Sequence, residues 1–590
     1  QLSIINYQLS IINYQLSIKK KSQMKLNFKL LLLLLIPTMG MQAQYNTMSM
    51  PEALTGTTFN LTIKDTIKQI LTGNQTVTGA INNETFWGPT LFINKGDEVH
   101  MNVTNSLNES TTLHWHGMHL PAVMDGGPHQ VIPAGTVWQP YWTVMNQAST
   151  LWYHPHLHEM TQAQVTKGIG GFIIVKDPAE AALALPRTYG VDDIVLALTS
   201  RKYTSTNQFN TGTDVYGDYM LSNGTPNAQI SLPKQYVRMR ILNAEIERGY
   251  NLGFSDNRTF YIIANDGGLL NAPVAVTRVK LMVGERVEIM VNLGNDTVGS
   301  SIDLKAYNSG QAFGFPGGEP NSTGTFGSLL NNVDFNVLHI NVAATTANPI
   351  TAVPSSLITN TYWTAANATV TRALAVTQGN PGGLPFSLDN TPFVLDYINK
   401  TVNLDAIEQW TVTNNAVFGH SFHIHDVEFK IVARNGSATA VGTHESGWKD
   451  TVYLPKSESV TFVAKFSDFA DADVTHPYMY HCHFAGHEDG GMMGQFIVSN
   501  ALGTSSNNTK LGFSLYPNPA SEKLFITLDD LNTEVYYITI TTIEGRVVMM
   551  LPQPQWENGL DISKLATGTY ILQLMDKENK KVTTKKFIKK

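Results

Sequence analysis

Apolar and polar residues alternate along much of the chain in short runs. Residues 98–103 and 286–291 are examples, with an apolar residue at nearly every second position. A period of two is typical of a β-strand, and glycine- and proline-containing turn signals separate the runs. Long amphipathic helical patterns are scarce. The pattern therefore predicts an all-β protein built from sandwich domains.

Composition sets the number of domains and excludes one class of partner. With 590 residues the chain is too long for one domain and is expected to form three or four. The net charge of −7 argues against nucleic-acid binding. Near the end of the chain there is a run of lysines, which is predicted to be a solvated tail. These lysines are Lys580, Lys581, Lys585, Lys586, Lys589 and Lys590.

Most of the 17 histidines fall in four short motifs, each of which contains a His-X-His pair. Successive side chains of a strand point to opposite faces, so the two imidazoles of a pair share a face. A single pair could be an ordinary surface or core feature, but four pairs together indicate a metal site. The pairs are His114 and His116, His154 and His156, His423 and His425, and His481 and His483.

The single cysteine, Cys482, lies between His481 and His483. In a strand its side chain points away from both of them. His420, three residues before His423, likewise points away from the His423 and His425 face. Strand parity therefore groups His420 and His487 with Cys482 at one site and the eight paired histidines at another. One short segment, residues 480–483, contacts both sites.

The types of ligand favour copper. A thiolate, imidazoles and the thioether of Met492 are the ligands of a blue-copper site. Structural zinc usually has two or more cysteines, and catalytic zinc uses about three protein ligands. Non-haem iron is normally bound by a carboxylate as well as two histidines, and no carboxylate lies within the His-X-His pairs.

On these motifs, residues 45 to 500 resemble the three-domain multicopper oxidases, the family of laccases, bilirubin oxidases and bacterial copper-efflux oxidases. The resemblance implies three cupredoxin-like Greek-key β-sandwich domains and four coppers per chain. It implies oxidation of a reductant at the type 1 copper, electron transfer from Cys482 to His481 and His483, and reduction of dioxygen to water. The implied ligands are His420, Cys482, His487 and the weak axial Met492 for type 1 copper, His114 and His423 for type 2, and His116, His154, His156, His425, His481 and His483 for the type 3 pair.

Two carboxylates match acids that deliver protons to dioxygen in this family. They are Asp125, within residues 124–127, and Glu488, directly after His487. Reduction of dioxygen consumes protons, so ionisable groups are expected near the copper cluster. Either residue could instead be an ordinary turn or surface carboxylate.

The motif order occurs twice, which indicates an ancient duplication. The first copy has Pro155 where the second has Cys482, so it cannot build a type 1 site. We predict a first cupredoxin domain over residues 45–182 and a third over 350–500, each with four cluster histidines. Between them lie residues 186–346, here called the middle stretch. Their only histidine is His339, and they are predicted to form a copper-free spacer domain.

The N-terminal region predicts export. Residues 24–43 read as a secretory signal peptide that is too short to anchor the protein in a membrane. The segment Gln1 to Tyr7 repeats as residues 8–14 and begins again at Gln15. We interpret residues 1–23 as an intergenic repeat translated from a misplaced start; a strand-forming repeat is the alternative.

The C-terminal region carries a separate module. A Ser/Asn-rich linker at residues 501–511 precedes residues 512–590, which resemble the C-terminal sorting domain of type IX secretion in Bacteroidetes through residues 515–520, 545–547 and 565–570. This resemblance implies engagement of the type IX machinery after passage through the periplasm, with release or attachment at the cell surface. A small adhesive β domain is the alternative. A lone cysteine, protected by copper, agrees with an oxidising compartment.

The reductant is the least determined feature. No methionine lies between Met290 and Met479, so the Met-rich insert of copper-efflux relatives has no counterpart. We therefore expect a phenol or aromatic amine, with the Gly-rich residues 310–327 and the loop-like residues 344–392 shaping the substrate mouth. Oxidation of cuprous, ferrous or manganous ion is the alternative, as is a non-catalytic copper-binding or electron-transfer role. The protein is expected to act as a monomer without a permanent membrane span.

Overall fold

The computed structural model describes residues 13, 15–21, 45–211, 216–320, 326–378, 386–391, 393–470, 474–500, 513–528, 535–542, 546–552, 559–576 and 582–590. The predicted signal peptide and linker lie outside these residues, and the described part of the predicted repeat, residues 13 and 15–21, is helical. No helix in the described ranges is long and apolar enough to cross a membrane. The chain divides into two compact units: residues 1–400, 405–469 and 476–496, and residues 401–404, 470–475 and 497–590.

Residues 53–176 form two sheets. Their strand orders are β2-β5-β10-β9 and β4-β3-β6-β7, with β8 also paired to β6. The strands are β1 Asn46–Thr47, β2 Ala53–Thr55, β3 Thr58–Lys68, β4 Thr76–Ile81, β5 Thr90–Asn94, β6 Glu98–Asn105, β7 Val137–Trp138, β8 Tyr141–Thr143, β9 Ser149–Tyr153 and β10 Gly171–Lys176. The helices are the 3₁₀ turn η1 Ala122–Met124, α1 Thr161–Lys167 and α2 Pro178–Ala181.

The middle stretch forms two larger sheets, and β1 joins one of them. Their orders are β1-β14-β22-β21-β16-β19 and β13-β12-β11-β15-β20-β17-β18. The strands are β11 Asp193–Arg201, β12 Tyr219–Ser222, β13 Thr225–Pro226, β14 Ala228–Pro233, β15 Tyr236–Asn243, β16 Tyr250–Phe254, β17 Phe260–Asn265, β18 Gly268–Val276, β19 Val279–Leu281, β20 Arg286–Asn292, β21 Ser301–Tyr307 and β22 Asp334–Ala343.

Residues 370–499 contain the strands that carry the remaining histidine motifs. One sheet has the order β24-β23-β26-β30-β28, and in another β32, β31, β27 and β29 pair in that order. The elements are η2 Ala365–Asn367, β23 Val370–Gln378, β24 Phe386–Leu388, β25 Lys400–Asn403, β26 Ile407–Asn414, β27 His420–Ile424, β28 Phe429–Arg434, η3 Ala438–Ala440, η4 Thr443–Glu445, β29 Thr451–Leu454, β30 Ser459–Lys465, β31 Tyr478–Cys482, α3 Ala485–Asp489 and β32 Met493–Ser499.

The C-terminal residues form two small sheets, with orders β33-β34-β37 and β36-β35-β38-β39. Phe513, Leu524 and Leu572 are among the buried residues of their shared core. The prediction that the last lysines form a solvated tail is wrong in part. Lys585, Lys586 and Lys590 are exposed, but residues 582–589 form a strand that pairs with β38, and Lys589 is buried. The strands are β33 Phe513–Tyr516, β34 Lys523–Leu528, β35 Val535–Thr542, β36 Val547–Pro552, β37 Leu560–Asp561, β38 Gly568–Asp576 and β39 Val582–Lys589.

The alternating sequence pattern explains these sheets. In β6 buried apolar residues alternate with more exposed polar ones, as expected for a strand with one face in the core. β26 shows the same alternation of buried and more exposed positions, with Trp410 and Val412 on its buried face. The all-β prediction is confirmed. The expectation of a loop over residues 344–392 is wrong in part, because β23 pairs in parallel with β26 and buries Leu374 and Val376.

In β20 the alternation has a different meaning. Its apolar residues face the core, but its polar residues Arg286 and Glu288 are also buried, each 1% exposed. The polar face of this strand therefore contacts other parts of the protein rather than water.

Candidate metal centre

Two groups of ligand side chains lie on opposite faces of β27 and β31. In this antiparallel pair His423 is opposite His481, and Phe422 is opposite Cys482. Opposite residues share a face, so His423 and His481 point one way and Cys482 points the other, together with His420 two residues before Phe422.

The first group brings together His420, Cys482 and His487. The Sγ atom of Cys482 lies 3.6 Å from Nδ1 of His420 and 3.6 Å from Nδ1 of His487. A metal about 2.3 Å from sulfur and about 2.0 Å from nitrogen separates the two by about 3.6 Å at tetrahedral to trigonal angles. The spacing therefore fits one metal ion. Met492 is buried beside this group, and its backbone carbonyl accepts a 3.0 Å hydrogen bond from Cys482 N–H.

The second group consists of the eight paired histidines, all at most 4% exposed. His483 Nε2 lies 3.1 Å from His116 Nδ1, and His154 Nε2 lies 3.4 Å from the same atom. Nε2 of His481 lies 3.2 Å from that of His156 and 3.3 Å from that of His425. Two imidazole nitrogens on one metal at about 2.0 Å are separated by about 3.3 Å. These contacts therefore have the spacing of nitrogens that share metal ions.

Hydrogen bonds on the outer ring nitrogens orient several of these imidazoles. Nδ1 of His114 lies 2.9 Å from the backbone oxygen of Asp125, and Nδ1 of His423 lies 2.9 Å from that of Asp450. The Nε2 atoms of both rings are buried and have no hydrogen-bond partner. A buried nitrogen without a partner is costly unless a ligand completes it. The donor set therefore fits a metal between His114 and His423.

Asp125 holds two of these rings. Its Oδ2 accepts a 2.7 Å hydrogen bond from His425 Nδ1, while its backbone oxygen accepts the one from His114. The turn depends on Gly126, which has φ +77°, and a Cβ there would lie 1.9 Å from the Leu113 carbonyl oxygen. Only glycine allows this close approach of the two backbones.

Glu488 is buried between two other rings. Its Oε1 lies 3.1 Å from His156 Nδ1, and its Oε2 lies 3.4 Å from His481 Nδ1. Thr161, at the start of α1, donates its hydroxyl to Oε1 at 2.7 Å. The hydroxyl of Thr161 in α1 therefore positions the carboxylate of Glu488, which lies 327 positions later in the chain.

Burial determines the protonation of the ligands before any metal binds. It lowers the pKa of His481 and of His487 to about 3, so both rings are neutral and retain a lone pair at neutral pH. Burial also raises the pKa of the Cys482 thiol to about 12. Metal binding at Cys482 must therefore displace a proton.

Family profiles agree with this geometry. The multicopper oxidase profiles match residues 63–180 and 354–501, and the profile of a secretion system C-terminal sorting domain matches residues 514–590. The two oxidase matches contain all eight paired histidines together with Cys482.

Known proteins show the same relationship. Multicopper oxidase mco of Staphylococcus haemolyticus is 29% identical over 71% of this chain and 83% of its own length. The structure of a laccase-like multicopper oxidase CueO from Ochrobactrum sp. matches with a TM-score of 0.67 and 29% identity, over 76% of this chain and all of that one. Residues 63–180 and 354–501 are multicopper oxidase domains. The sandwich domains of the oxidase are accordingly cupredoxin-like, and its cofactor is copper.

The chain is also similar to a protein named for cell division. Cell division protein FtsP of Xenorhabdus nematophila is 28% identical to the oxidase over 71% of this chain and 85% of its own.

The sequence reasoning missed the residues that orient the ligands. Asp450 and Thr451 contact His116 Nε2, each at 3.2 Å, and Thr161 holds Glu488. Thr451 lies opposite His423 in the antiparallel β27–β29 pair, so a register prediction for that strand pair could have found it. Nothing in the local sequence distinguishes Thr161 from other helix-start threonines.

Proposed function

We propose that the protein is an exported, laccase-like oxidase that removes single electrons from phenols or aromatic amines and reduces dioxygen to water. The observation that carries this proposal is the position of Cys482, between a three-ligand site on one face of β31 and eight imidazoles on the other. A protein that only stores copper does not need one residue to join two sites.

Each copper type is assigned to its own ligands. We propose one type 1 copper at His420, Cys482, His487 and Met492, one type 2 copper at His114 and His423, and a type 3 pair at the other six paired histidines, which gives four coppers per chain. Bound copper supplies one-electron transfer at the first site and four-electron reduction of dioxygen at the cluster. The backbone from Cys482 to its neighbours His481 and His483 provides the covalent electron route.

The division into three oxidase domains, 45–182, 186–346 and 350–500, is also part of this proposal. It is supported by the separate pairs of sheets in these stretches. In the assignment, the first and third domains contribute four cluster histidines each.

Asp125 is proposed to deliver protons to the cluster. We expect Asp125→Asn to slow dioxygen reduction by about 100-fold while reduction of type 1 copper by substrate changes little, because the amide retains the size of the side chain but cannot cycle a proton. Stopped-flow measurement of the two half-reactions checks this. Asp97→Asn is the matched control, because Asp97 lies at the turn before β6 and its carboxylate accepts a hydrogen bond from Asn94. Equal slowing of both half-reactions would remove the proposed role.

Glu488 is proposed as a second proton donor, held in place by Thr161. Thr161→Val retains the side-chain shape and removes the 2.7 Å hydrogen bond to Glu488. We expect dioxygen reduction to slow about three- to tenfold, the size of one lost hydrogen bond to an acid. Thr166→Val, in the same helix, is the control. An unchanged rate of reoxidation by dioxygen in the Thr161 variant would contradict the positioning role.

The surroundings of the proposed type 1 site support an aromatic reductant. His487 is only partly buried, and its ring centroid lies 4.6 Å from that of Phe386 and 5.3 Å from that of Phe484. Phe418, two residues before His420, lies 5.9 Å from the exposed Phe313. Aromatic rings favour stacking with aromatic substrates. Phe386 and Phe484 are buried, so the exposed Phe313 is the ring of this set that can stack with a substrate.

One observation favours metal-ion oxidation as the second candidate. Glu247 and Glu319 are both nearly buried, and burial, followed by the charge of Glu319, raises the pKa of Glu247 to about 8. The carbonyl of the adjacent Ile246 accepts a 3.1 Å hydrogen bond from Ala485, at the start of the helix that carries His487. Carboxylates are suitable ligands for a divalent cation.

The deciding experiment uses purified, copper-loaded protein. We expect four coppers per chain, a visible thiolate-to-copper band, and oxygen uptake with a phenolic donor without release of peroxide. If oxygen is consumed with cuprous ion but not with the phenolic donor, the protein is a metal-ion oxidase instead. Copper binding without oxygen uptake from either donor would favour storage or electron transfer.

Export is proposed to use the C-terminal module. The sorting-domain match over residues 514–590 supports passage through the type IX system, followed by release or surface attachment. A signal peptide at residues 24–43 would bring the chain into the periplasm first.

A further inference from the structure

Arg286 of the middle stretch is fully buried and uses all of its hydrogen-bond donors. Its guanidinium donates two hydrogen bonds to the Asp450 carboxylate, from Nη1 to Oδ1 at 2.6 Å and from Nη2 to Oδ2 at 2.5 Å. Nε donates to the Thr150 carbonyl at 3.1 Å, and the other two N–H groups donate to the carbonyls of Gly284 and Asp266 at 3.0 and 3.2 Å. The five bonds end in three different stretches of the chain.

Asp450 in turn contacts a cluster histidine. Its Oδ1 lies 3.2 Å from His116 Nε2, and the Thr451 hydroxyl lies at the same distance. His116 is thereby oriented with Nδ1 inward, 3.1 Å from His483 Nε2. The four imidazoles of His154, His156, His425 and His481 have the opposite orientation, with Nε2 toward the other rings. His116 therefore depends on a partner for Nε2 that the others do not share.

The middle stretch also touches the cluster through its backbone. Gly284 has φ +85°, and a Cβ at this position would lie 2.9 Å from the His483 ring. The absence of a side chain lets the turn before β20 pack directly on that ring and brings Arg286 into reach of Asp450.

We propose that Arg286 is a positioning residue for the copper cluster: by fixing both oxygens of Asp450, it holds His116 in the tautomer that presents Nδ1 to copper. The predicted copper-free spacer is thus part of the shell that shapes the cluster. This inference rests on the proposed cluster. It assigns to the middle stretch a role that no copper ligand reveals.

The test compares Arg286→Lys with the wild type. Lysine keeps the positive charge but cannot form the bidentate pair of hydrogen bonds with both carboxylate oxygens. We expect the blue type 1 band to remain, cluster copper to be lost to a chelator about 10- to 100-fold more readily, and the fraction of copper visible by electron paramagnetic resonance to rise as the type 3 pair uncouples. Asp450→Asn is expected to act in the same direction.

The control is Arg240→Lys. Arg240 is another buried arginine of the middle stretch, bound through two nitrogens to Asp193 at 2.8 and 2.9 Å and to the Thr150 hydroxyl at 2.9 Å, but not to Asp450. Equal loss of cluster copper in this control would overturn the proposal, because the effect would then come from general destabilisation. A folded Arg286→Lys protein with wild-type copper retention and spectrum would overturn it as well.

A double variant covers the case in which Arg286→Lys does not fold. Arg286→Gln with Asp450→Asn removes both buried charges together, which avoids leaving one of them unpaired. We expect this protein to recover thermal stability but still lose cluster copper, and wild-type copper retention would overturn the proposal. These readouts need no substrate. Wild-type protein that binds four coppers but consumes no dioxygen would therefore count against the proposed function alone.

Discussion

Cys482→Ser is expected to abolish both the blue colour and the oxidation of every reductant. The thiolate is the only sulfur anion available, because the chain has one cysteine, and serine is a poor ligand for copper at this site. The same change breaks the electron route to His481 and His483. The eight paired histidines should still bind copper, so the variant should contain one copper less per chain than the wild type.

Copper analysis, the visible spectrum and oxygen uptake together check this expectation. Tyr480→Phe is the matched control, since Tyr480 lies on the same strand and the same face as Cys482 and loses only a hydroxyl. The control should keep its colour and activity. Residual substrate oxidation in Cys482→Ser would refute the proposed electron route.

Removal of residues 501–590 is expected to stop secretion while leaving the oxidase active. All proposed copper ligands lie between His114 and Met492, and β32 ends at Ser499. The buried core of the C-terminal sheets is formed by residues of that module itself. A chain that ends at Asn500 should therefore bind copper and oxidise phenols at wild-type rates in vitro, yet remain in the periplasm.

Fractionation of cells that express the two forms measures the location of activity. As a converse control, residues 501–590 fused to an unrelated periplasmic reporter should carry that reporter to the cell surface or the medium. If the truncated chain is insoluble, the module is needed for folding of the oxidase, and the expectation is wrong. Normal secretion of the truncated chain would remove its sorting role.

The separation of Cys482 from the paired histidines could be predicted because it follows from the period of a strand. The position of His487 beside Cys482 did not follow from it, because His487 lies in the helix α3. His481 and His483 had to share a face and Cys482 had to oppose them, whatever the rest of the fold. The sandwich architecture followed in the same way from alternation, as in β6 and β26. Identification of the copper types, in contrast, depended on family resemblance rather than on physical chemistry.

The residues that orient the ligands could not be predicted. Arg286 and Asp450 are 164 positions apart and meet only because different sheets pack together. In the sequence, Arg286 looks like a residue on the polar, solvent-facing side of an amphipathic strand. Nothing in the local sequence shows that other parts of the protein cover this side. Thr161 has the same property: its contact with Glu488 spans 327 positions. Such contacts depend on tertiary packing, which local periodicity does not encode.

The separation of the cluster ligands along the chain also bears on biosynthesis. His116 and His483 touch although 367 positions separate them, so a nascent or truncated polypeptide that lacks the last ligand strand offers only part of the imidazole set. The three-ligand site, by contrast, draws entirely on residues 420–492 and becomes available together with the final strands. Acquisition of the full metal complement thus depends on how far synthesis has advanced. Translation must pass Met492, and the segments that carry the first and the last histidine pairs must meet, before the proposed dioxygen site can form.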